Sequence, residues 1–401
     1  MAKTRRRGGG EGTIYQRSDG RWTAQVTIGY DAEGRQKRAT FYGKTRAEVL
    51  DKIDQARQDQ RNGTFVEPHK TTIGDWLDRW LSAYQKPAVS PGTYEHRSML
   101  IRRHIKPTLG HVLLTKLKPG ELQQLYADKL EKGRTDETGG LSSQTVRHIH
   151  NVLHGALKQA MREGLVNRNV AQATSPPKLV RTEEMNPLSR KQVTQFLSTL
   201  AGERLEAAFL LDLATGLRRG ELLALRWSDL NLERGTLQVR KSLSRVKQDD
   251  GTTRLEFSDV KTPKSRRLIP LPDEAVRELR AHKARQNQEK LKLGEAYQDR
   301  GMVFATVLGG PIEPRNFHRR WTELLKKAGI PHTRFHNLRH TFATILLEAG
   351  EHPKVVQEML GHSKVSMTLD TYSHVVPGLK VQAAVTVNNI LKEARADKAA
   401  R

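Results

Sequence analysis

The 401-residue chain contains no cysteine at all. Disulfides, thiolate nucleophiles and Cys-ligated zinc are thereby excluded, and any covalent catalysis must use another side chain. No run of 18 or more apolar residues occurs, and no apolar signal-peptide core follows the basic cluster near the start. The reading is a soluble, unexported, cytoplasmic protein with no membrane partner. Acidic residues are in short supply: 44 Asp and Glu face 69 Lys and Arg, a formal charge of +25. The bases are distributed over the chain instead of gathered in one tail, so a long electropositive surface is expected. Nucleic acid is its natural partner.

What is present divides into stretches of different character. The length exceeds that of most single domains and the apolar stretches are separated, which predicts two or three domains. Residues 1–10 are basic and then glycine-rich, and read as a mobile arm. Three β-prone runs, Gly12–Gln16, Trp22–Tyr30 and Lys37–Tyr42, are separated by turn signals, which predicts a meander followed by a helix over Arg46–Arg61. A sheet this small needs the helix on one face. The other face, with Arg17, Arg21, Arg35, Lys37 and Arg38, is either a reader of a DNA groove or a merely solvated surface.

From Trp76 the spacing turns helical, with Trp76, Leu77, Trp80, Leu81 and Tyr84 on one face. Further helices are expected over Ser90–Ile105, Lys118–Lys132 and Ser142–Glu163. Pro176-Pro177, within residues 174–186, marks a linker. Beyond it come helices and one hairpin region, Gly235–Leu271. The expected fold is multidomain and mainly α. A small N-terminal three-stranded β-sheet fills residues 1–64, a helical domain residues 65–173, and a mixed α+β domain residues 187–401.

Four segments of the last domain carry chemistry together. In Ala214–Leu230 a helix ends at Gly216 and another starts beyond Arg218, which leaves Arg218 at the corner, facing a cleft or simply paired with Glu221. Val260–Leu271 places Lys261, Lys264, Arg266 and Arg267 on the tip and returning arm of the hairpin, where plain phosphate contacts are the ordinary use. In Arg334–Gly350, His336, Arg339 and His340 fall on adjacent turns of one helix face. In Met359–Val375, His362 follows a helix ended by Gly361, and Tyr372 lies in the next helical turn. The i, i+4 pair His336 and His340 could chelate zinc, but no catalytic Glu accompanies it and Arg339 would repel a dication. His340 reads instead as a structural residue of the second turn, and no metal or cofactor is expected.

Cleaving a phosphodiester without metal or thiol requires fixed donors for the charge that spreads over the equatorial oxygens. Arg218 and Arg339 suit this, because guanidinium forks match phosphate geometry. A side-chain nucleophile is needed if the bond is to be rejoined, and Tyr372 fits. The leaving 5′ oxygen needs a proton donor, worth roughly 10²–10⁴-fold in rate. Lys261 is the candidate, with Lys264 close by. His336 and His362 would hold phosphate oxygens and assist the phenol proton.

The order Arg, Lys, His-x-x-Arg, His, Tyr, with the strings TGLRRGE, HNLRHTFAT, LGHS and TYSHV, resembles the tyrosine recombinase or phage integrase family. The helical stretch resembles that family's core-binding domain, and residues 1–64 look like its arm-binding domain. The resemblance implies a site-specific DNA recombinase of a mobile element or prophage in a bacterial host, working on the nucleoid. It further implies core and arm attachment sites on double-stranded DNA, a homotetramer, an excisionase and a host DNA-bending protein. By the same resemblance Arg218, Lys261, His336, Arg339 and His362 surround the phosphate that Tyr372 attacks. The tail Leu379–Ala394 would pack on its own domain or on a neighbouring protomer. A type IB topoisomerase shares the chemistry, and a non-catalytic DNA-binding regulator would share the fold. The arm-like N terminus argues against the first, and the complete six-residue set against the second.

Overall fold

The computed structural model describes residues 13–30, 33–61, 70–134, 138–179, 186–247, 251–260, 265–372, 384–385 and 387–392. The chain divides into two compact units, Met1–Arg181 and Thr182–Arg401.

The first unit opens with an antiparallel meander, β1 (Thr13–Gln16), β2 (Trp22–Tyr30) and β3 (Gln36–Gly43), followed by α1 (Arg46–Arg61). The register sets Ile14, Ala24 and Phe41 side by side, with Val26 opposite Ala39 on the same face. Val49 and Ile53 of α1 close over this row and form a small core with Ala24 and Val26. Because side chains alternate across a strand, the other face carries Tyr15, Tyr42, Gln25, Thr27 and Arg38. Arg38 therefore stands on the outer face as expected, whereas Arg17 and Arg21 flank the β1–β2 turn and Arg35 precedes β3. The side chain of Lys37 lies outside the described residues.

The helical part begins at α2 (Ile73–Arg79), where the Thr72 hydroxyl accepts from the Asp75 amide and Asp75 accepts in return, a reciprocal cap. The chain continues through a π-helical turn, Trp80–Gln85. Then come α3 (Pro91–Leu100), a second π turn (Ile101–Ile105), α4 (Lys106–Leu109), α5 (Pro119–Lys132) and α6 (Ser143–Arg162). Trp76, Leu77, Trp80 and Leu81 do share a core, with Leu122, Tyr126, Ile149 and Leu153. The Trp76 indole donates to the Ala156 carbonyl at 3.0 Å, so the largest side chain in this core leaves no polar atom orphaned.

The second unit starts at α7 (Arg190–Leu200), capped by Ser189, and runs into α8 (Glu206–Thr215) and α9 (Arg219–Ala224). A three-stranded sheet follows in the order β4 (Leu230–Asn231), β5 (Thr236–Val239), β8 (Arg267–Pro270). Between β5 and β8 the chain makes a separate hairpin, β6 (Lys241–Lys247) with β7 (Thr253–Asp259). Of the basic residues expected on the tip and returning arm of the hairpin, Arg267 opens β8, the strand that returns antiparallel to β5, and residues 261–264 lie outside the described residues. The remaining helices are α10 (Asp273–Leu293), α11 (Pro314–Lys327), α12 (Asn337–Glu348), α13 (Pro353–Leu360) and α14 (Val365–Thr371).

Phe196, Phe209, Phe317, Trp321 and Phe335 form an aromatic knot at the centre, with Phe209 and Phe317 stacked at 4.9 Å. Each such ring contributes roughly 1.5–3 kcal/mol by burial. This knot gives α8, α11 and the start of α12 a rigid footing. A second, smaller core joins Phe342, Leu347, Val356, Leu360 and Tyr372. In the tail, residues 384–385 and 387–392 are helical and expose Val385, Val387, Ile390 and Leu391; the rest of it lies outside the described residues.

Candidate active site

Two glycines set the frame. Gly216 ends α8 and Gly361 ends α13, each in the left-handed conformation (φ 59° and 67°) that a Cβ disfavours. Both also sit where a Cβ would collide: at 2.5 Å from Phe342 Cδ1 for Gly216, and at 3.0 Å from Arg267 Nη1 for Gly361. Each cap reverses the chain just ahead of a candidate side chain, Arg218 in one case and His362 in the other.

Arg339, on the first turn of α12, joins the two caps. Its guanidinium donates to the Gly216 carbonyl at 2.7 Å and to the Leu360 carbonyl at 2.6 Å. These carbonyls are the exposed negative ends of α8 and α13, so the cation is held by two helix termini. Only 1% of Arg339 is exposed. Burial first, then the charges of Arg218 and Arg267, push its pKa down to about 9, against the opposing pull of Glu221 and Tyr372. It stays cationic at neutral pH.

Glu221 is the buried counter-charge. It accepts from Arg218 Nη1 at 2.7 Å and from Arg267 Nη2 at 2.9 Å, and it caps the amide of Arg218 at 3.0 Å. Burial alone would raise its pKa; the hydrogen bond and charge of Arg267, then Arg218, outweigh this and hold the carboxyl below its usual range. Removing one member of such a buried pair costs about 3–5 kcal/mol. Arg218, half-exposed, also donates to the Gly361 carbonyl at 3.3 Å. Arg267, by contrast, is buried and bonds Glu221 together with the Met359 and Ser265 carbonyls. Expected on sequence to face DNA, it is an internal brace instead. Arg266 is exposed beside Asp259, 3.5 Å away. Lys261 and Lys264 lie outside the described residues.

His336 caps α12 at the surface, its ring 4.9 Å from that of His340. His362 shares a hydrogen bond between its Nδ1 and the Thr368 hydroxyl at 2.9 Å. For both rings desolvation is the largest influence, followed by neighbouring basic side chains, His340 and Arg339 for His336 and Arg339 and Arg218 for His362. Both pKa values fall to about 4. At neutral pH these imidazoles are uncharged and can each donate and accept. Tyr372 is 2% exposed, its ring in the small core and its phenol raised to about 12 by burial, which Arg339 offsets only in part.

His340 is the residue that sequence reasoning missed. Its Nδ1 stands 2.9 Å from the Tyr372 hydroxyl. The spacing that put His336 and Arg339 on one helix face also included His340; what it lacked was the position of α14, which no local pattern gives. Asp212 of α8 is wholly buried and neither carboxyl oxygen has a hydrogen-bond partner among the described residues; the charge of Arg339 opposes its desolvation.

Five of the six expected residues thus converge from α9, α12, the α13 cap and α14, with more guanidinium than carboxylate among them. A phosphate would supply the missing negative charge, and a phenol is a side chain able to attack phosphorus. Residues 186–377 match the phage integrase family, and residues 72–130 match its N-terminal SAM-like domain. A tyrosine recombinase XerC-like protein of Caldanaerobacter subterraneus is 33% identical over 91% of this chain and 95% of its own. Among solved structures, the Tn1549 transposon integrase in complex with a circular intermediate DNA superposes with a TM-score of 0.62 at 24% identity, covering 79% of this chain and 99% of that one. A lambda integrase tetramer bound to a Holliday junction gives 0.52 at 20%, over 90% and 96%. Geometry, motif order and these likenesses agree: the chain belongs to the phage integrase family of tyrosine recombinases, enzymes that break and rejoin DNA at specific sites.

Proposed function

We propose that the chain integrates and excises a mobile element or prophage through a 3′-phosphotyrosine bond formed by Tyr372. The observation that carries this reading is the meeting of the Tyr372 hydroxyl and His340 with Arg339, seated on the Gly216 and Leu360 carbonyls, and Arg218, held by Glu221 and the Gly361 carbonyl. Arg218 and Arg339 bind the equatorial oxygens of the scissile phosphate, and neutral His336 and His362 add hydrogen bonds to it. Lys261 protonates the leaving 5′ oxygen, a role that rests on the family resemblance. The excess of base suits core and arm sites on duplex DNA. Four protomers acting on two duplexes are supported by the lambda integrase tetramer at the same fold. An excisionase and a host DNA-bending protein would then set direction. Residues 1–64 bind the arm sites, residues 65–173 and 187–401 the core site.

The test is a nicked suicide substrate, on which covalent protein–DNA adduct accumulates. Tyr372→Phe removes the nucleophile and almost none of the basic surface, so adduct should vanish while affinity stays nearly unchanged. Adduct formed by the Phe variant would remove Tyr372 from the role.

A further inference from the structure

We propose that His340 is the proton acceptor for Tyr372, taking the phenol proton as the phosphate is attacked and returning it when the strand is resealed. The proposal rests on Tyr372 being the nucleophile and adds a residue to that same site.

Geometry comes first. A general base must lie within about 2.6–3.2 Å of the proton's heavy atom, and His340 Nδ1 meets this at 2.9 Å from Oη. The two rings stand tilted at 62° with centroids 5.7 Å apart, an edge approach that aims a ring nitrogen at the hydroxyl and does not stack the faces. Their anchors are firm: α12 is pinned by Arg339 to two helix ends, and the Tyr372 ring is seated among Phe342, Leu360 and Val356. Need comes second. A phenol whose pKa is raised to about 12 is protonated at neutral pH, and Arg339 alone does not reverse that. The other two imidazoles are poorer choices, since both are held near pKa 4 by burial and neighbouring arginines, and His362 engages Thr368 through Nδ1.

The proton balance closes with the groups already named. With Nε2 protonated, His340 Nδ1 accepts as the Tyr372 O–H bond breaks, the Oη–P bond forms and the P–O5′ bond breaks. The 5′ oxygen takes a different proton, from Lys261 in our reading. On resealing, the 5′ hydroxyl attacks, and the departing phenolate recovers its proton from the His340 imidazolium. The charged groups of this cluster are Arg339 on the same helix, Arg218 at the α9 corner and the Glu221 carboxylate, with the uncharged rings of His336 and His362 beside them.

The experiment first maps the wild-type adduct by peptide sequencing; attachment anywhere but Tyr372 ends the nucleophile reading before His340 is tested. With Tyr372 established, His340→Asn sets an amide where Nδ1 stands, keeping the hydrogen bond without a base. Single-turnover adduct formation should fall about 10²-fold, with DNA affinity unchanged. Replacing Tyr372 by 3,5-difluorotyrosine, a more acidic phenol, should recover at least tenfold in the His340→Asn background and little in the wild type. Wild-type rates for His340→Asn, or equal effects of fluorination in both backgrounds, would overturn the proposal. Should His340→Asn fail to fold, a methyl group on His340 itself decides: placed on Nδ1 it must abolish cleavage, placed on Nε2 it must spare it, and the reverse order overturns the assignment.

Discussion

Asp212 and Glu221 are two buried carboxyls of opposite fate within one helix–corner–helix segment. Glu221 has two guanidiniums and an amide to bind and stays ionised. Asp212 has no hydrogen-bond donor among the described residues, and burial raises its pKa well above the usual 3.8 despite the charge of Arg339, with Glu221 adding to the rise. A carboxyl whose folded pKa is raised stabilises the fold below the unfolded pKa, and that contribution is lost as pH climbs toward the folded pKa. The wild-type melting temperature should therefore decline from pH 5 to pH 8 more steeply than that of Asp212→Asn, whose amide does not titrate. Parallel curves for the two proteins would show that Asp212 is not held protonated. The pairing of Arg218 with Glu221 was one of two readings open in the sequence; the burial of the two carboxyls was not legible. An Asp in the apolar stretch AFLLDLATG and a Glu three residues after an Arg look like ordinary surface choices until burial is known.

At the scale of elements the sequence was more informative, because helix ends and strand alternation are local. The meander, α1, α5, α6 and both glycine caps could be read from turn residues and apolar spacing. The path after β7 could not, because β8 pairs with β5 across the whole β6–β7 hairpin, a non-local choice. That crossing is also why Arg267 turned inward: the first residue of β8 alternates toward Glu221. Gly216 offers the sharpest test of how elements hold the site. Gly216→Ala forces a Cβ into left-handed backbone, about 1–2 kcal/mol, and against Phe342, about 1–3 more. Its melting temperature should drop and its cleavage rate fall, since the displaced carbonyl is the one that seats Arg339. Gly202→Ala, also at positive φ (76°) but with open space around the Cβ, should lose only the backbone part and keep its cleavage rate. Equal cleavage by the two variants would disconnect the α8 cap from the site.

Across the whole molecule, the proposed chemistry and the proposed arm-site recognition fall on different stretches. The small meander has its own core of Ala24, Val26, Val49 and Ile53, independent of the cores that hold the reactive residues. Deleting residues 1–64 should consequently leave adduct formation on core-site DNA within about twofold while crippling integration on full-length attachment sites. Integration at the intact rate by the shortened protein would remove the arm-binding role. Such separability was foreseeable from composition, since basic turns and a short amphipathic helix precede the Trp-rich helical pattern.

The seating of Arg339 on carbonyls 123 residues before it and 21 after it has a consequence for synthesis. Ribosomes deliver α8 and α9 first, α12 much later, and the phenol last among the reactive groups. Until Leu360 has emerged, Arg339 lacks one of its two seats; until Tyr372 follows, the proposed nucleophile is missing. On the proposed roles, an unfinished chain would carry positive surface without its nucleophile, so the order of these residues along the chain would keep a half-made enzyme from nicking DNA.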